Sequence, residues 1–143
     1  MDVNPYESPK TAATTESSDV APSLWNPDAA GIWSLFLTPI FGSTLVLMNW
    51  QAIGEEPRVR AGRIWLAVSV LMLIASSFVP ALALIYIITW YFAWQRKQTR
   101  FVNERWGKDY PRKGWGVPLL IGIAGVAAFS VVFTLFVSLF VSL

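Results

Sequence analysis

Three stretches of this chain are free of charge and rich in large apolar residues: 29–50, 64–94 and 114–143. Each holds the roughly 20 residues that a helix needs to cross a hydrocarbon core of about 30 Å. The middle stretch is the longest, 31 residues without an Asp, Glu, Lys, Arg or His. As one helix it would measure about 46 Å at 1.5 Å per residue, about half as long again as the core is thick. As two helices it gives arms of about 15 residues, short for a crossing. Length disfavours both, so flanking charge decides. Arg58, Arg60 and Arg63 precede the run, and Arg96, Lys97, Arg100, Arg105, Lys108, Arg112 and Lys113 follow it. A hairpin gathers all ten cations on one side, as the positive-inside rule favours for cytoplasmic loops; a single helix splits them. Within "SSFVP", Pro80 disfavours helix at Val79, and Ser76 and Ser77 are turn formers able to satisfy freed backbone groups.

The pattern predicts an all-α, polytopic transmembrane bundle. Its four spans cover about 29–49, 64–79, 81–95 and 116–141, with a short hairpin at Ser76 to Pro80. Segments 50–63 and 96–115 become basic cytoplasmic loops, and the N-terminus lies on the periplasmic side. In the first span, Trp33 and Trp50 stand about 25 Å apart, the spacing of two interfacial aromatic belts. Pro39 predicts a kink there, and Gly42 with Ser43 offers a small patch for helix contact. In the last span, Phe129, Phe133, Phe136 and Phe140 form one stripe, and Ser130, Thr134, Ser138 and Ser142 step by four along another. Gly122 and Gly125 add small surfaces, so Gly42, Gly122, Gly125, Ser130, Thr134 and Ser138 are the expected helix-packing residues.

Composition strengthens the membrane assignment. The chain of 143 residues is 55% hydrophobic and 14% charged, against about a quarter charged in soluble domains. Residues 1–28 are different: rich in Ser, Thr and Pro, with a net charge of −4 and little to bury, they read as a flexible acidic tail. No basic region precedes an apolar core there, so no cleavable signal peptide is expected, and the first apolar run serves as the insertion signal.

Candidate chemistry is sparse. The chain has no Cys and no His, which removes thiolate chemistry, the commonest general base and the commonest metal ligand. No acidic or basic side chain falls within a predicted span, whereas proton relays and ion pathways mark themselves with such residues. Glu55 and Glu56 are adjacent and would point apart, and no phosphate loop or nucleophile–base pair is present. The expectation is a protein that is not an enzyme, with no cofactor and no metal. The informative polar segment is 96–115, where cations interleave with aromatics. Arg96, Lys97, Arg100, Phe101, Arg105, Trp106, Arg112 and Lys113 are the candidates for contact with anionic lipid headgroups or a membrane partner. No nucleic-acid module accompanies them, so nucleic acid is not an expected partner.

The opening "NPYESP" resembles an Asn-Pro-Tyr-x-x-Pro tail carried by a largely uncharacterised family of small bacterial inner-membrane proteins. The blocks "WNPDAAGIWSLFLTPIFGSTLVLMNWQAIGE" and "QTRFVNERWGKDYPRKGWGVPL" are similar to recurrent blocks of such proteins. The resemblance implies a bacterial inner-membrane location and carries no activity with it. The expected function is a non-enzymatic membrane protein acting through helix–helix, lipid or protein contacts. A toxin-immunity protein or an accessory membrane protein is a concrete form of that function. The alternative is a passive channel or transporter subunit working as a homo-oligomer.

Overall fold

Proline and asparagine set the first boundary. Asn26 accepts a hydrogen bond from the Asp28 amide at 3.0 Å, and Pro27 occupies the first turn of α1, Pro27–Phe36. A computed structural model describes residues 20–141. The described chain continues through α2 (Pro39–Ile53), α3 (Glu56–Phe78), α4 (Ala81–Trp90), a π-helical turn (Tyr91–Gln95), α5 (Arg96–Trp106) and α6 (Gly116–Val141). The described residues contain no strand; a lone parallel bridge joins Leu24 to Arg112. The all-α expectation holds. The NPYESP segment and Ser142 lie outside the described residues.

Pro39 ends a helix where a kink was expected. Residues before proline are driven out of the helical region, and Thr38 is fully extended at φ −168°. Its hydroxyl accepts from the Phe41 amide at 3.3 Å and caps a new helix. The chain reverses there, so α1 and α2 lie antiparallel. At their crossing a Cβ on Gly42 would stand 1.7 Å from Ser34 Oγ. The expected span at 29–49 is therefore a hairpin of a 10-residue and a 15-residue helix.

Gly54 closes α2 in the left-handed region, at φ 83°. Pro57 then sits in the first turn of α3, where its missing N–H costs nothing. The expected loop at 50–63 thus shrinks to Gly54 and Glu55, and Arg58, Arg60 and Arg63 ride on α3. The next reversal falls at Val79 and Pro80, inside the expected hairpin segment. Ser76 and Ser77 each donate to the Leu73 carbonyl at 3.0 Å. α3 and α4 run antiparallel: Trp65 stacks on Trp94 at 6.2 Å, and Ser69 meets Tyr86 nearer the turn.

The 81–95 segment does not stop at its expected boundary. The Arg96 amide bonds to Tyr91 O, closing the wider π turn, and helix continues through α5 to Trp106. The expected loop at 96–115 is irregular only after that residue. Among the described residues, two helices are long and apolar enough to cross a membrane, not four. They are α3, of 23 residues, and α6, of 26.

The core lies where α2, α3 and the α4–π segment meet: Val46, Leu47, Trp50, Val59, Tyr86, Ile87, Trp90 and Trp94. Polar side chains are buried beside it. Ser69 donates to Trp65 O at 2.8 Å, leaving its oxygen to accept from Ser43 at 2.7 Å and Tyr86 at 2.8 Å. Large apolar residues such as Phe36, Leu71, Leu84, Leu120 and Phe140 point outward and are exposed.

Candidate functional site

The functional candidates collect at one end of the bundle, and the segment before α1 joins them. Leu24, fully buried, donates its amide to Pro111 O at 2.9 Å and accepts from the Lys113 amide at 2.9 Å. Trp25 is held from both sides by Asn49: its amide donates to Asn49 Oδ1 at 3.0 Å, and its carbonyl accepts from Nδ2 at 2.8 Å. Asn49 Nδ2 also donates to Gln98 Oε1 at 3.1 Å, and Gln98 Nε2 donates to Val46 O at 2.9 Å. Gln95 donates to Pro27 O, and Thr99 donates to Asp28 at 2.9 Å. Leu24, Trp25, Pro27 and Asp28 are thus hydrogen-bonded to the body of the bundle. Through Leu24 they lie at the same end of the bundle as Pro111 and Lys113.

Beside this network, cations and aromatic rings interleave. Gly54's turn sets the N-terminus of α3 against α5, and the Arg58 guanidinium sits over the edge-to-face pair of Trp50, 4.5 Å away, and Phe101, 4.3 Å away. Glu55 stands 3.9 Å from both Arg58 and Arg105. Arg105 in turn lies over Trp106 at 5.0 Å and Phe101 at 5.7 Å. An adjoining cleft of about 370 Å³ is lined by Trp50, Arg58, Trp94, Lys97, Arg100, Phe101 and Glu104. Its lining includes Trp50 and Trp94, whose buried indole N–H groups find no acceptor among the described residues. A buried donor without a partner costs about 1–3 kcal/mol. Arg58, Lys97 and Arg100, against Glu104 alone, leave the cleft net positive, which suits an anion with several acceptor oxygens.

The expected contact residues therefore divide. Lys97, Arg100, Phe101, Arg105 and Trp106 come together around Arg58. Arg96 turns towards Phe92, 5.6 Å away, and lines a shallow depression with Arg100 and Glu104. Arg112 lies over Tyr110 at 5.6 Å, and Lys113 over Trp25 at 4.2 Å, both on the Leu24 side. Burial pushes the Tyr110 hydroxyl above its ordinary titration range, with Arg112 opposing.

Among the helix-packing candidates, Gly42 and Gly122 are true close approaches. A Cβ on Gly122 would meet Leu37 at 2.7 Å and Phe41 at 2.9 Å, whereas one on Gly125 would meet nothing within 4 Å. Ser130, Thr134 and Ser138 are exposed. Ser130 donates to Val126 O at 2.9 Å and Thr134 to Ser130 O at 2.8 Å, so these hydroxyls serve their own helix.

Sequence reasoning missed Arg58, Trp50, Asn49, Gln95 and Gln98. The last three had a signal: neutral amides at the edges of apolar runs, which lipid would not solvate and a partner amide would. Among the described residues no group of three or more carboxylates gathers to hold a metal. No known family model, curated protein sequence or solved structure matches the chain.

Proposed function

We propose that the protein is a non-enzymatic, multi-pass protein of a bacterial inner membrane that binds anionic headgroups at its basic, aromatic end. The membrane placement draws on two long apolar helices with an apolar exterior and buried polar groups, the distribution that lipid favours. The bacterial inner membrane draws on the resemblance of the NPYESP tail and the two flanking blocks. In this reading α3, the α4–π segment and α6 cross. The α1–α2 hairpin enters from the basic side and returns to it. The positive-inside rule makes that side cytoplasmic, and Leu24's pairing with Pro111 and Lys113 supports a cytoplasmic N-terminus with it.

The observation that carries the binding role is the Arg58 guanidinium seated over the contacting rings of Trp50 and Phe101, beside Lys97 and Arg100. Arginine stacked on aromatics at headgroup depth keeps its donors presented to phosphate. Reporter fusions test the topology: cytoplasmic signal is expected at residues 20, 60 and 108, and periplasmic signal after residue 141. A periplasm-active reporter at residue 60 overturns it. Vesicle binding at rising ionic strength tests the role. The Arg58→Ala, Lys97→Ala, Arg100→Ala triple variant should lose most of the salt-sensitive preference for anionic over zwitterionic lipid, and an unchanged preference rejects the cleft.

The channel reading has one observation in its favour. A cavity of about 400 Å³ lies between the two hairpin tips and includes Ser34, Thr38, Ser76 and Tyr86 in its lining. Ser34 and Ser76, however, donate to carbonyls of their own helices. A liposome flux assay separates the readings, since solute-specific flux would establish the pore.

A further inference from the structure

The contact between α6 and the bundle is unlike every other in the molecule. α6 buries none of its residues; it approaches the α1–α2 hairpin closely at Gly122, where Leu37 and Phe41 fill the space a Cβ would need, and meets α3 further along through Phe133 and Phe78, 6.4 Å apart. To either side of that point α6 and α2 separate, leaving a groove of about 690 Å³. Its walls are Phe41, Leu45, Met48, Val117, Ile121 and neighbouring apolar residues. Thr38 and Thr44 also line it, but both hydroxyls are engaged by backbone groups, with Phe41 N and Ile40 O. The walls ask for hydrocarbon.

The two ends differ. At one, Lys113 stands 4.2 Å over the Trp25 ring, and Trp25 Nε1 donates to Gly114 O at 3.1 Å. Among the described residues Lys113 has no carboxylate partner. At the other end, Gly125 and Phe129 offer no charge. From Gly114 to Phe129 the groove follows α6 for about 22 Å at 1.5 Å per residue, with a cation and an indole at headgroup depth and an apolar floor beyond.

We infer that this groove is a binding site for one anionic phospholipid, its headgroup on Lys113 and an acyl chain laid along α6 past Gly125. The inference rests on the membrane reading above. Charge complementarity selects the headgroup, and the contact at Gly122 selects the tail. Helices that touch there leave no room between them for a third helix about 10 Å across, while a polymethylene chain about 4 Å wide fits beside the contact. The lipid supplies the wall that α6 lacks, and so holds α6 to the bundle.

Native mass spectrometry of the detergent-purified protein tests the site, with palmitoyl-oleoyl phosphatidylglycerol, the matching phosphatidylcholine and dihexanoyl phosphatidylglycerol as probes. One long-chain phosphatidylglycerol per chain is expected, retained about tenfold better than phosphatidylcholine. Gly125→Leu fills the groove at a position where a Cβ meets nothing, so its helicity should match the parent while retention falls at least tenfold. Lys113→Ala should leave the adduct but reduce the headgroup preference at least fivefold. The site is overturned if Gly125→Leu binds as the parent does, if both headgroups are held equally, or if dihexanoyl phosphatidylglycerol binds as well as the long-chain lipid. The last result would place the contact at an open cation cluster with no use for a tail. Reporter fusions would still report the topology independently, so failure of the groove and failure of the membrane reading remain distinct.

Discussion

α2 buries seven of its residues, Asn49 and Trp50 among them, whereas α6, eleven residues longer, buries none. Both are apolar, and α6 is the longer and better match to a bilayer, so hydrophobicity does not explain the difference. What separates them is where their small and polar groups find partners. On α2, Gly42 admits Ser34 and Trp90, Ser43 reaches Ser69, and Asn49 reaches Trp25 and Gln98. On α6, Ser130 and Thr134 bond back to their own helix. With lipid as solvent, helices gain little by hiding apolar surface from one another. Close packing then follows from intersegment hydrogen bonds and glycine contacts, which α2 has at several levels and α6 mainly at one.

The strongest way to break the contrast is Asn49→Ala. It leaves the Trp25 amide, the Trp25 carbonyl and Gln98 without their partner, and should cost about 3 kcal/mol, lowering Tm by about 10 °C in detergent. An unchanged Tm would mean the network does not hold α2. Gly42→Ala comes next, because its new Cβ meets Ser34 Oγ at 1.7 Å and Trp90 Cη2 at 2.7 Å. A loss of about 2 kcal/mol in thermal unfolding is expected from overpacking. Gly125→Ala sharpens the comparison from the other side: no neighbour opposes it, so better helix propensity should raise stability by up to about 1 kcal/mol. If the two glycine variants shift Tm equally, α6 is packed as tightly as α2. The smallest effect belongs to Arg58→Lys, which keeps the charge but loses the planar guanidinium's contact with the Trp50 and Phe101 rings. About 0.5 kcal/mol of stability should go, read as a Tm shift of 1–2 °C.

The apolar runs and Pro80 made the helical class and the middle reversal legible, because both are local consequences of hydropathy and proline sterics. Pro39 was legible as a disturbance, but kink and break share the same residue. The outcome turned on Thr38 capping a new helix. Docking of Leu24 and Trp25 was out of reach, since it depends on Asn49 and Lys113, far along the chain. The cation cluster was half legible: the 96–113 residues announce themselves by density, while Arg58 acquires its place only when Gly54 folds α3 back beside Phe101. The α6 hydroxyls show a clean period of four in the sequence, and within the chain Ser130 and Thr134 bond back to their own helix.

From Ala81 to Trp106 the chain is a single rod, and the π turn at Tyr91–Gln95 acts in it as a phase shifter. One surplus residue in a turn rotates everything downstream by about 100°. Upstream, Tyr86 and Trp90 are in phase with α3 and Gly42. Downstream, Gln98 is in phase with Val46 and Asn49 of α2 and, through Asn49, with Trp25. A regular helix could address only one of those audiences along a single stripe. The local irregularity lets one rod read two neighbours at once, and so ties the setting of α4 against α3 to the setting of the cations beyond it.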